Sequence, residues 1–72
     1  MSIEEMKQRW IDGSLDHGIF TSTNEKGQNV HVCVHDKGFE LTTYQDNGWA
    51  RTNIYTYDAD RDTWDYEEIY DK

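Results

Sequence analysis

The 72-residue chain has no proline, one cysteine (Cys33) and only seven lysines and arginines. Without proline, nothing forces a break in a helix or strand, and no proline-rich linker divides the chain. A single cysteine excludes an intramolecular disulfide, which suits the reducing cytoplasm. Against the few cations stand 15 aspartates and glutamates, leaving a formal charge of −8. That balance argues against nucleic acid as a direct ligand, because duplex binding uses Lys and Arg to displace counterions from phosphates. An anionic membrane surface is disfavoured for the same reason. No apolar run approaches the ~20 residues of a membrane span, and the first residues lack the basic-then-apolar pattern of a secretory signal. The length predicts one domain over residues 1–72, with little room for a deep catalytic pocket.

A mean hydropathy of −1.06 pulls towards disorder, since such chains bury too little apolar surface to offset ordering entropy. Aromatic content pulls back. Trp10, Trp49 and Trp64 each bring a large buriable area, and strand-like segments recur between turn signals. The chain reads as folded around a small core, and a core this small gains from dimerisation or from a partner.

Residues 2–12 read as one helix. Ser2 and Glu5 have the spacing of a capping box, and Met1 and Met6 take the positions of a hydrophobic staple. Ile3, Met6 and Trp10 recur at helical spacing, with Ile11 and Leu15 widening the stripe, and Gly13 is placed to end the helix. Five strands follow, over residues 18–23, 28–35, 39–45, 49–57 and 63–70. Val30, Val32 and Val34 alternate in period two, and Asn47-Gly48 signals a hairpin because both residues tolerate positive φ. The short connections predict an antiparallel meander. The fold class is therefore α+β in two layers, one short N-terminal helix on a five-stranded sheet. Ile19, Phe39 and Leu41 are expected to join the valines beneath the helix. Trp64, Tyr66 and Tyr70 share one face of the last strand, with Asp65, Glu67 and Ile69 opposite.

Sites of chemistry are scarce. His31, Cys33 and His35 leave one strand on one face, and imidazole and thiolate are zinc ligands that His17 would extend to four. The outer two are about 13 Å apart at ~3.3 Å per residue, too far for one tetrahedral ion. Asp58, Asp60 and Asp62 resemble the start of an EF-hand loop, but Thr63 stands where glycine makes the turn and Ile69 where a bidentate glutamate belongs. No phosphate-binding loop, dinucleotide fingerprint, nucleophile elbow or zinc-protease helix occurs. These readings predict a non-enzyme with no cofactor and no bound metal.

Charge is distributed unevenly. Residues 58–72 hold seven acids (Asp58, Asp60, Asp62, Asp65, Glu67, Glu68, Asp71) against Arg61 and Lys72, interleaved with Trp64, Tyr66 and Tyr70. Alternate residues on a strand face lie about 6.6 Å apart, close to two ~3.4 Å steps between phosphates of a nucleic-acid strand. A row of carboxylates with flat neighbours would imitate a phosphate backbone; the plainer reading is solubility and protection of an edge strand. Small, acidic and cysteine-poor, the chain is similar in class to phage inhibitors of host nucleases, the anti-restriction and anti-CRISPR proteins. That likeness implies a protein partner with a basic surface, such as a host nuclease or CRISPR effector. The partner-binding residues are expected to be Asp58, Asp60, Asp62, Trp64, Asp65, Tyr66, Glu67, Glu68 and Tyr70. The alternative is a phage or bacterial accessory protein acting through homo-oligomerisation.

Overall fold

The structure, a computed structural model, describes residues 2–71, so the Met1 half of the expected staple lies outside them. Helix α1 (Ile3–Asp12) starts at Ser2, whose Oγ accepts the Glu5 N–H at 3.1 Å, and ends at Gly13 in the left-handed conformation, φ 78°. Strands β1 (Gly18–Thr23), β2 (Asn29–His35), β3 (Gly38–Tyr44), β4 (Ala50–Asp58) and β5 (Thr63–Asp71) form one antiparallel sheet in the order β1-β2-β3-β4-β5. The expected meander is present, and each strand boundary lies within one residue of its predicted place. No helix among the described residues is long and apolar enough to cross a membrane.

The helix covers one face of this sheet. Beneath it Met6, Leu15, Val30, Val32, Val34, Phe39 and Leu41 are buried, and Ile3, Trp10, Tyr55 and Trp64 pack against them. Burying one such aliphatic or phenyl side chain is worth roughly 1.5–3 kcal/mol. Trp10 fixes the helix end: its indole N–H donates to the His35 carbonyl at 2.9 Å, and its ring lies 5.5 Å from Trp64. Phe39, fully buried, stacks on Tyr55 at 5.0 Å.

Three expectations are corrected. Ile19 lies on the helix-free face, 78% exposed, and Phe20 is the β1 residue on the helix side. The three-residue Glu25–Gly27 loop sets the register that places Phe20 opposite Val32 and Ile19 opposite Cys33. A slip of one residue flips every side chain, and β1 has no alternating apolar pattern that would reveal its own phase. Ile11 is 44% exposed and lies outside the packed cluster, so the helical stripe is Ile3-Met6-Trp10 without it. At Asp46–Gly48 only Gly48 has positive φ, 88°; Asn47 instead accepts the Trp49 N–H on its side chain at 3.0 Å. The hairpin forms as expected, but with a bulged three-residue loop.

Gly38 is demanded by packing. It is buried with φ 150°, and a Cβ there would sit 2.0 Å from the Tyr55 carbonyl oxygen. Only glycine permits β3 and β4 to approach this closely.

Candidate functional site

Directly opposite residues of an antiparallel pair share a face, so the strand registers divide the β4–β5 hairpin into two surfaces. On the helix side the pairs are Tyr57–Trp64, Tyr55–Tyr66, Asn53–Glu68 and Arg51–Tyr70. Here the aromatics form a ladder: Tyr57 and Trp64 at 5.1 Å, Tyr55 and Tyr66 at 5.1 Å, and Trp49 stacked on Tyr70 at 5.4 Å. Trp64 also reaches Trp10 and Phe39, so it belongs to the packed interior. Tyr66 and Tyr70 are more than half exposed.

The helix-free side of the same hairpin carries Asp58, Asp65, Glu67 and Asp71 around Thr52, Ile54, Thr56, Thr63 and Ile69. Glu40 on β3 extends the acidic ground inward, because it lies opposite Ile54, which in turn lies opposite Glu67. No Lys or Arg occurs among the described strand residues of this face. Arg51 lies on the other side, 3.9 Å from Glu68. The expected mixture of acids and aromatics is therefore split: Asp65 and Glu67 look one way, while Trp64, Tyr66, Glu68 and Tyr70 look the other. The two sets meet only along the free edge of β5.

No family model, curated protein or solved structure matches this chain.

The Asp58–Asp62 segment closes the hairpin. Asp58 accepts the Asp60 N–H at 3.1 Å and lies 3.6 Å from Arg61 Nε, while Asp62 takes φ 55° and accepts the Tyr57 hydroxyl. Asp58 and Asp62 thus serve the turn itself, as short side-chain acceptors do when they cap nearby amides. The Asp62 hydrogen bond, followed by desolvation, raises the Tyr57 pKa above its ordinary 10.0. Desolvation, reinforced by the charge of Glu68, raises Tyr66, whose hydroxyl lies 3.2 Å from Asn53 Oδ1 and 3.3 Å from Glu68 Oε2. Tyr55 rises mainly by desolvation, then through Tyr66 and Glu4.

The histidine–cysteine row sits on the helix-free face of β2. His31 stands edge-on to Tyr44 at 5.5 Å. His35 accepts the Lys37 N–H on Nδ1 at 3.2 Å, which leaves its Nε2 as the proton-bearing nitrogen, 3.2 Å from Glu40. His17 pairs with Asp36 at 3.5 Å. Among the described residues no three His, Cys, Asp or Glu side chains are gathered as for a metal ion.

Glu40 and Asp71 belong to the acidic face although neither is among the expected partner-binding residues, and Glu40 lies outside the acidic segment altogether. Loop lengths would have found Glu40, because the two-residue Asp36-Lys37 turn fixes His35 opposite Gly38 and so Glu40 opposite Cys33.

Proposed function

We propose that this chain is an acidic binding module that docks on a basic protein surface and blocks it, with the free edge of β5 as the docking ridge. One observation carries the reading: the helix-free sheet face holds Glu40, Asp58, Asp65, Glu67 and Asp71 with no Lys or Arg among its described strand residues. Acids placed only for solubility would be mixed with cations across both faces. A one-sign surface steers encounter with an opposite charge and repels wrong partners. Along the ridge, the exposed rings of Tyr66 and Tyr70 supply contact area, backed by Tyr55 and Trp49 respectively.

A surface that binds nucleic acid is the natural target, and a nuclease or CRISPR effector is a partner of that kind. The mimicry is partial. Asp65 and Glu67 form a carboxylate row at about 6.6 Å spacing, Ile69 interrupts it, and the rings lie on the opposite face.

The test begins by capturing the partner from lysate and measuring association and dissociation rates separately. Reversing Asp65, Glu67 and Glu68 to lysine should slow association at least about tenfold at low salt, with the difference shrinking as salt rises. Tyr66→Ala should instead speed dissociation, at a cost of about 2 kcal/mol or more for an anchor. A folded triple reversal that associates as fast as wild type would remove the acidic face from the account.

A further inference from the structure

We propose that β1 is the docking edge for β1 of a second copy of this chain, the two strands running antiparallel so that two five-stranded sheets become one of ten. The inference does not depend on the acidic docking ridge, which lies at the opposite edge.

The first observation is the direction of the β1 backbone. The Asn24 N–H donates to the Gln28 carbonyl at 3.0 Å, and the register of β1 on β2 continues outward from that pair. Hydrogen-bonded pairs alternate along an antiparallel ladder. The inward-bonding residues of β1 are therefore Ser22, Phe20 and Gly18. Ile19, Thr21 and Thr23 direct their N–H and C=O groups away from the sheet, along a strand whose only strand neighbour among the described residues is β2.

The second observation is that this edge lacks the usual guards. Protein edges are blunted by charge, proline or bulges. Strand β1, Gly-Ile-Phe-Thr-Ser-Thr, has no charged residue and no proline, and its six residues pair with β2 without interruption. Its Ile19 is 78% exposed on one face, and Phe20 is 39% exposed on the other. By contrast β5, at the far edge, carries Asp65, Glu67, Glu68 and Asp71.

Charge selects the occupant. Residues 17–35 contain one acid, Glu25, and one base, Lys26, so the whole −8 resides elsewhere in the chain. Joining two copies at β1 places the β5 strands nine strand spacings apart, about 43 Å at ~4.8 Å each. That is several times the Debye length of about 8 Å at physiological salt. A second copy therefore approaches this edge without meeting its own charge, whereas pairing at β5 would set acids against acids. Strand addition also makes the surface self-complementary, because each copy offers the same donors and acceptors about a twofold axis. With Thr21 opposite its counterpart, Ile19 lies opposite Thr23 of the second copy, and all three outward residues are hydrogen-bonded.

Sedimentation equilibrium over a concentration series is the test. Wild type should tend towards twice the 8.6 kDa chain mass, and added salt should leave the dimer unchanged or strengthen it. Thr21→Pro removes an outward N–H at an edge position where proline is tolerated, and should weaken dimerisation at least about tenfold. Ile19→Lys, at an exposed site away from the core, should do the same, while Ile69→Lys on the far edge should have no effect. A chain that stays monomeric up to millimolar concentration would overturn the proposal. So would a dimer that survives both β1 substitutions, or one that Ile69→Lys dissociates.

Discussion

The two edges of one five-stranded sheet are built to opposite rules. Strand β1 is short, uncharged and dressed in threonine and serine; β5 is longer, carries four acids and bears three large rings. The difference follows from what one helix can cover. A ten-residue helix is about 15 Å long and ~10 Å wide, while five strands span about 19 Å. Helix α1 shields the middle of the sheet, and each edge must find its own cover. At β5, rings in contact across the hairpin supply it: Tyr57 tilted against Trp64 and Tyr55 tilted against Tyr66. At β1, a groove of about 650 Å³ runs beside Phe20 over Val30, Val32 and Leu41. One edge is thus covered by its own side chains, and the other is left open.

The largest expected effects lie where both halves depend on the same residues. Phe39→Ala should cost about 3–5 kcal/mol, the usual range for emptying a buried phenyl site. Gly38→Ala should cost about 3 kcal/mol or more, because its Cβ would collide with the Tyr55 carbonyl and separate β3 from β4. Either loss rivals the few kcal/mol expected of a domain this size. Urea denaturation should then show both variants largely unfolded in water. A Gly38→Ala protein as stable as wild type would mean that β3 and β4 can separate freely, and the contrast between halves would lose its hinge.

Smaller effects should divide β5 along its own length. Trp64 touches Trp10, Phe39 and Tyr57, whereas Tyr66 and Tyr70 are more than half exposed. Trp64→Ala should cost about 2–3 kcal/mol, and Tyr70→Ala less than about 1 kcal/mol. Equal losses at the two positions would show that the exposed rings are structural cover and not a reserve of contact surface.

The parts legible in the sequence were those with strong local periodicity. Val30, Val32 and Val34 announced β2 and its buried face, and Ser2 with Gly13 bounded the helix. Ile19 was misassigned because Gly18–Thr23 carries no period-two signal; its facing is inherited from the loop at Glu25–Gly27 and from β2. Ile11 was misassigned because the stripe of a helix on a sheet is narrow, and Trp10 already fills its C-terminal end. On the candidate site, composition located the acidic segment. It did not reveal that Glu40 joins the acids from a different hairpin, since that depends on register across three strands. Nor did it show the bareness of β1, which is visible only once β1 is known to be an edge.

The smallest effect concerns pH and belongs to the β4–β5 hairpin alone. Tyr55, Tyr57 and Tyr66 all have folded-state pKa values above the ordinary 10.0. A raised phenol pKa means the folded chain holds its proton more tightly than the unfolded chain. The associated stability is complete below pH 10.0 and is lost as pH climbs through the folded-state values. Alkaline titration should therefore leave stability flat up to about pH 10 and lower it beyond, with tyrosinate absorbance of the folded protein lagging behind that of the denatured chain. Asp62→Asn isolates one cause. Asparagine accepts φ 55° at least as readily as aspartate, so the turn should persist while the charge beside Tyr57 disappears. The lag at Tyr57 should shrink, and those at Tyr55 and Tyr66, which have other causes, should remain. If the Asp62→Asn protein titrates like wild type, the charge of Asp62 is not what holds the proton on Tyr57.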